Sequence, residues 1–257
     1  MKTIHIYIFL IISISTSAQS VLNQYLQTAA EKNPGLKVKF NAYMAALERV
    51  PQVGALPDPT VAFGYFVQPI ETRLGPQQAK ISASQMFPWF GTLSTRENSV
   101  EALAKAKYEL FEESKSKLFY DVKATYYNLF FTEKAIGITL DNIEILSSFK
   151  NLANIKVESG LASAVDAYRV EIEINDLENQ LALLRDNSTV LRVKFNNLLN
   201  VDDATDIQIV TELSESILLS KQAELDSIMA NNNALSSFDY QLEGLDHRKK
   251  SATKESL

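Results

Sequence analysis

From Thr92 to about Lys156 the chain runs without a proline and with one internal glycine, Gly137. Such a stretch can continue as a single α-helix of about 65 residues, ~97 Å long at 1.5 Å per residue. No compact core accommodates a helix of that length, so the chain must build an extended helical structure. Counting in sevens from Leu103 gives Leu110, Lys117, Ala124, Phe131, Ile138, Ile145 and Leu152, apolar except at Lys117, while Val122, Leu129, Ile136 and Ile143 mark a second stripe. Two stripes on one helix predict contacts on two sides.

The periodicity breaks at Val157-Glu158-Ser159-Gly160-Leu161, and Ser163 followed three residues later by Asp166 resembles the capping box that restarts a helix. The return helix, about Ala164 to Leu199, places Ile174, Leu177, Leu181, Leu184, Ser188, Leu191, Phe195 and Leu198 at alternating steps of three and four, a coiled-coil seam. At ~54 Å it retraces about half of its partner before Asn200-Val201-Asp202-Asp203 ends it. Ile207-Gln208-Ile209-Val210 then reads as a short strand. Taken alone, these helices fit a soluble helical hairpin equally well.

What precedes the long helix changes that balance. Thr60 to Gln68 alternates Val61, Phe63, Tyr65 and Val67 with Ala62, Gly64 and Phe66, and Ala79 to Phe87 sets Ile81, Ala83 and Phe87 against Lys80, Ser82 and Ser84. A polar Gly-Pro region from Thr72 to Gln78 joins them. Strands of about nine residues approach the ~9 to 11 that cross a bilayer when tilted. A lone hairpin is marginal in water, and its open edges are intolerable in lipid, so neighbouring strands must come from elsewhere. Val61, Phe63, Tyr65, Val67, Ile81, Ala83 and Phe87 are the expected membrane-facing positions. Phe87, Trp89 and Phe90 gather where strand becomes helix, and Trp89 and Phe90 are expected as an interfacial belt, with a soluble core cluster as the competing reading.

Met1 to Ala18 has one early lysine, a short apolar core and a small-residue end, and reads as a secretory signal peptide cleaved after Ala18. The chain contains no cysteine, which leaves no disulfide, no thiolate metal site and no lipoprotein-type anchor to expect. No later apolar run reaches the 18 or so residues of a spanning helix. A net charge of −6 with mixed signs offers no basic stripe, so no nucleic-acid partner is expected.

Leu26 to Leu47 resembles Leu225 to Asp246 at an offset of 199, with Leu26, Asn33, Leu36 and Tyr43 falling on Leu225, Asn232, Leu235 and Leu242. On this reading residues 1–18 are the signal peptide, 19–218 a first repeat and 219–257 the opening of a second. The first repeat holds a helix, the hairpin 60–87, helices 92–156 and 164–199, and a segment 200–218. Leu257 then corresponds to Asp58, so the chain stops where a second strand pair should begin. The polar, unpatterned tail from Lys249 fits either an interrupted repeat or a disordered end.

Three stretches carry a family resemblance: Leu56-Pro57-Asp58-Pro59 before the first strand, Ser84-Gln85-Met86-Phe87-Pro88-Trp89-Phe90-Gly91 after the second, and Gly160-Leu161-Ala162-Ser163-Ala164-Val165-Asp166 at the helical turn. Together they resemble the TolC-like outer-membrane efflux proteins, in particular the metal and drug efflux branch. The resemblance implies a mainly α fold, with long antiparallel coiled-coil helices and a membrane β-hairpin contributed to a trimeric barrel. Family protomers give two strand pairs each, and this chain departs by offering one. The resemblance also implies a homotrimer in the outer membrane, with helices in the periplasm, served by a periplasmic adaptor and an inner-membrane pump. Ser159, Gly160, Leu161, Ser163 and Asp166 would form the aperture tip that meets the adaptor, although a helix cap alone also accounts for Asp166.

Chemistry is otherwise scarce. His5 and His247 are the only histidines, so no His-based metal site or triad can be assembled. Glu171, Glu173, Asp176 and Glu178 have the spacing of a solvated helix face, and no phosphate-binding glycine motif is present. No enzyme activity and no cofactor are expected. The expected function is passive export of small molecules or metal ions through a trimeric duct. Alternatives are an exported periplasmic coiled-coil adaptor or scaffold, and a nonfunctional fragment of a duct protein.

Overall fold

The computed structural model describes residues 17–213, 227–228 and 231–255. In order these form α1 (Ser17–Lys32), α2 (Pro34–Leu47), α3 (Arg49–Gly54), β1 (Thr60–Thr72), β2 (Gly75–Ser84), α4 (Thr92–Glu158), α5 (Ala164–Leu199) and α6 (Asn233–Glu255). The fold is mainly helical, with one two-stranded antiparallel sheet among the described residues. The expected signal peptide lies outside the described residues except for its last two positions. The chain divides into two compact units, residues 1–37 with 114–221, and residues 38–113 with 222–257, so α4 contributes to both.

In the first unit α1 packs on α5, and both close over the middle of α4. Leu22, Leu26 and Ala29 lie on one face of α1 and are buried, as are Val122, Tyr126 and Leu129 of α4 and Leu181, Phe195 and Leu199 of α5. The seam expected on α5 is buried or half-buried at all eight of its positions. On α4 the Val122, Leu129, Ile136, Ile143 stripe faces inward, whereas Phe131, Ile138, Ile145 and Leu152 stay exposed. At the centre, Tyr25 meets Phe195 edge-on with ring centroids 5.0 Å apart, and Tyr126 stands 6.1 Å from Tyr25.

Both ends of the α4–α5 turn are set by local chemistry. Leu161 N–H donates to Lys156 O and Gly160 N–H to Val157 O, with Gly160 at φ +72°, the left-handed stop that favours glycine. Asn200 closes α5 in the same way at φ +51°, with Val201 N–H on Asn196 O. Asn196, itself buried, donates its amide to the carbonyls of Asp203 and Thr205 and so fixes the exit of the chain. Residues 207–210 are not a strand: the Gln208 and Val210 N–H groups donate to tyrosine hydroxyls rather than to a second strand.

In the second unit the packing is unusually close. Thr92, Thr95, Ser99, Ala102 and Ala106, at steps of three and four, form a buried small-residue seam on α4. Opposite lie Ser237, Gly244 and Ser251 of α6, seven residues apart. Ser99 Oγ donates to Gly244 O at 2.7 Å, and Ser237 Oγ to Ala106 O at 3.1 Å. The tail beyond Lys249 is therefore helical to Glu255, contrary to a disordered end. Ser251 is buried, Lys254 Nζ donates to Gly91 O, and Arg96 pairs with Glu255 at 2.9 Å. Small residues let the backbones approach, and hydroxyl-to-carbonyl bonds replace the missing side-chain bulk.

Candidate functional site

The hairpin carries a dense group of exposed large apolar side chains. β1 pairs with β2 in the register Val61↔Ala83, Phe63↔Ile81 and Tyr65↔Ala79 on one face, and Thr60↔Ser84, Ala62↔Ser82 and Gly64↔Lys80 on the other. Directly paired residues share a face, so the large apolar side chains stand together opposite a small and polar face. Val61, Phe63, Tyr65 and Ile81 are each about 70 % exposed, and Val67 is 91 % exposed. Monomeric proteins in water rarely leave such a contiguous surface open.

The strands run longer than the alternation indicated, 13 and 10 residues, and the connection is correspondingly tighter. Between Tyr65 and Ile70 the register shifts, with Pro69, which has no N–H to donate, inside the irregularity. Ile70 resumes pairing opposite Gln77, on the same β2 face as Ala79, so the shift returns an apolar residue to the Phe63 side. Thr72 Oγ1 donates to Gly75 O at 2.6 Å, and Gly75 sits at φ +117°. Phe87, expected as a strand residue, lies beyond β2, which ends at Ser84. Neither outer edge of the sheet has a strand neighbour among the described residues.

The link to α4 is a built corner. Gln85 Nε2 donates to Pro57 O at 2.6 Å, tying the exit of β2 to the segment that enters β1. Thr92 N–H donates to Trp89 O across a turn whose Gly91 stands at φ +76°. Met86, Phe87, Trp89 and Phe90 are exposed, and the Trp89 and Phe90 rings touch edge-to-face at 6.2 Å.

In the other unit, the α4–α5 turn presents Ser159, Gly160, Leu161 and Ser163, with Leu161 80 % exposed and Val165, Tyr168 and Ile172 exposed behind it. Ser163 Oγ accepts the Val165 N–H, so Ser163 is the helix cap. The Asp166 carboxylate lies 3.9 Å from Arg169 on an open surface, a pairing that contributes little. Further along the hairpin Lys150 pairs with Glu171 at 2.8 Å. Glu133 of α4 accepts from both Ser188 and Arg192 of α5 at 2.8 Å. Burial alone would raise the Glu133 carboxyl, but these two hydrogen bonds and the Arg192 charge outweigh it and hold the group below the ordinary glutamate value. Among the described residues there is no cluster of three or more metal-ligating side chains, and no helix long and apolar enough to cross a membrane.

No protein-family model and no curated protein matches the chain. Among solved structures it is similar to the outer-membrane protein VceC from Vibrio cholerae, with a TM-score of 0.71 at 11 % identity over 90 % of this chain and 58 % of that one. A membrane protein from Pseudomonas aeruginosa gives a TM-score of 0.67 at 14 % identity over 88 % of this chain and 55 % of that one. The CmeC outer-membrane channel of Campylobacter jejuni gives 0.63 at 15 % identity, over 90 % and 52 %. The fold is TolC-like. The chain spans a little over half the length of these solved channels.

Proposed function

We propose that the chain is a subunit of an outer-membrane efflux duct, a passive conduit driven through a periplasmic adaptor by an inner-membrane pump. The observation that carries this reading is the hairpin. Its Val61, Phe63, Tyr65 and Ile81 face is largely exposed, its Lys80, Ser82 and Ser84 face is polar, and it leads through an aromatic corner into a 67-residue helix. Lipid on the first face and water on the second satisfy both, and only ring closure satisfies the two open edges. TolC-like architecture supports a homotrimer with the 159–166 turn toward the adaptor. Two strands from each of three copies make six, fewer than the roughly eight of the smallest membrane barrels, so a trimer needs further strands to close. The offset of 199 supports a duplicated fold as the source of such strands.

The decisive experiment is fractionation of the full chain, leader included, in a Gram-negative host. Recovery in the outer membrane as a detergent-stable oligomer supports the duct. Recovery wholly in the soluble periplasmic fraction sinks it in favour of an exported coiled-coil scaffold.

A further inference from the structure

One face of α4 is only partly covered by its neighbours in the second unit. Arg96, Val100, Leu103, Lys107 and Leu110 follow alternating steps of four and three and so share that face. Two adjoining cavities open along it, of about 520 Å³ and 370 Å³, and Val100 and Leu103 line both. Val53 of α3 and Ala252 of α6 flank the larger, Ala46 of α2 and Leu110 the smaller. Volumes of this order, mostly apolar with a few polar groups, are those of small-molecule sites. Arg96 and Lys107 are 11 residues apart, ~16 Å along the helix. That is close to the ~15 Å spanned by the acyl chains of one leaflet, half of the ~30 Å hydrocarbon core.

The charge along this groove is one-sided. Four cations line it, Arg49, Arg96, Lys107 and Arg248, against one carboxylate, Glu255, in a chain whose net charge is −6. Glu255 is taken up by Arg96 and Ser251. The side chains of Arg49, Lys107 and Arg248 have no hydrogen bond or ion pair among the described residues. Two of these, Arg49 and Lys107, border the smaller cavity, which no carboxylate lines. Their long stems can lie along apolar surface with the charged heads at the rim. A guanidinium takes a phosphate through two parallel N–H donors, and an ammonium adds a point charge. A polypeptide helix, about 10–12 Å across, would bridge the rim rather than enter cavities of this size, so a single alkyl chain fits the floor better.

We propose that this groove binds a single-chain anionic phospholipid, with its phosphate at Arg49 and Lys107 and its alkyl chain over Leu103 and Val100 toward Arg96. The site is built from helices and stands apart from the hairpin, so it does not depend on the duct reading.

The test uses the purified full chain and lysophosphatidylglycerol carrying a photoactivatable diazirine in its acyl chain, compared with the zwitterionic lysophosphatidylcholine analogue. Labelled peptides are mapped by mass spectrometry after irradiation. Saturable labelling within residues 96–110, roughly fivefold or more stronger for the anionic headgroup, is the expected result. That preference should vanish in the double variant Arg49→Glu, Lys107→Glu. It should persist in Lys123→Glu, Arg185→Glu, which changes the net charge equally at exposed positions of the other unit. If the groove variant fails to fold, label position and headgroup preference in the wild type decide. No label in 96–110, equal label from both headgroups, or equal loss in the control variant overturns the proposal. So does a concentration-dependent oligomer that excludes the label, which would make a second copy the occupant. Label confined to the hairpin, 60–84, overturns the groove and leaves the duct reading intact, whereas label in the groove without the hairpin upholds the site and counts against the duct.

Discussion

Asn33 and Asn232 begin their helices with the same atoms: each side-chain Oδ1 accepts the N–H three residues on at 3.1 Å, from Leu36 and from Leu235. Each main-chain carbonyl also accepts the N–H four residues on, from Lys37 at 3.2 Å and from Ser236 at 3.0 Å. The sequence offset of 199 thus corresponds to a matched local geometry. Removing such a cap costs about 1 kcal/mol. Asn33 additionally donates its amide to Leu198 O at 3.2 Å, which ties the α1–α2 break to the end of α5. Asn33→Ala is therefore expected to lower stability more than Asn232→Ala, measured as the difference in denaturant midpoints. Equal losses would show that the Leu198 bond contributes nothing.

Gly244 is the tightest point of the α4–α6 contact, since a Cβ there would lie 3.1 Å from both Ser99 O and Leu103 Cγ. A backbone oxygen inside a 67-residue helix cannot easily retreat. Gly244→Ala gains about 1 kcal/mol of helix propensity and meets an overpacking cost of about 1–3 kcal/mol, so a modest net loss is expected. Gly244→Val adds two methyl groups against the same wall and should release α6 altogether. Limited proteolysis is the readout: new cleavage within 233–255 in the valine variant and little in the alanine variant.

The Glu133 carboxyl is held below its ordinary value, which fixes the sign of its pH dependence. A carboxylate depressed in the folded state adds stability that is present above the unfolded value, ~4.3, and that is lost as pH falls through the folded value. Wild type should therefore lose stability on acidification below about pH 5 more steeply than Glu133→Gln, which has no proton to take up there. Melting temperatures from pH 7 to 3 test this. Parallel curves would mean that Ser188 and Arg192 do not act through the charge of Glu133.

The long helix, its break over residues 157–161, the α5 seam and the two faces of the hairpin were all legible, because each rests on spacing that survives without tertiary information. The α4–α6 seam was not. Thr92, Thr95, Ser99, Ala102 and Ala106 follow the same three-four rhythm as a leucine seam, yet small and hydroxyl side chains do not register as apolar periodicity. Counting in sevens from Leu103 instead selected a face that is largely exposed. The seven-residue spacing of Ser237, Gly244 and Ser251 was the available signal, and it would also have shown the tail to be a packed helix. Residues 207–210 have strand-like alternation, but tyrosines 84 and 183 positions away take the hydrogen bonds of Val210 and Gln208, and no local pattern announces that. The bulge near Pro69 lengthens β1 beyond the run of strict alternation, which is why the hairpin was read short.

The two hairpin faces make opposite demands on a charge. Phe63 stands between Val61 and Tyr65 on the apolar face, opposite Ile81, whereas Ser82 pairs with Ala62 on the face that also carries Lys80. If lipid covers the first face, an arginine there costs about 2–4 kcal/mol near the bilayer midplane, and a charge on the water-filled side costs little. Phe63→Arg is expected to abolish recovery from the outer membrane while the helical content of the soluble chain stays unchanged, and Ser82→Arg is expected to insert like wild type. Circular dichroism on the soluble fraction separates failed insertion from failed folding. Loss of insertion in Ser82→Arg with retention in Phe63→Arg would invert the hairpin, placing the aromatic face toward protein and the serine face toward lipid.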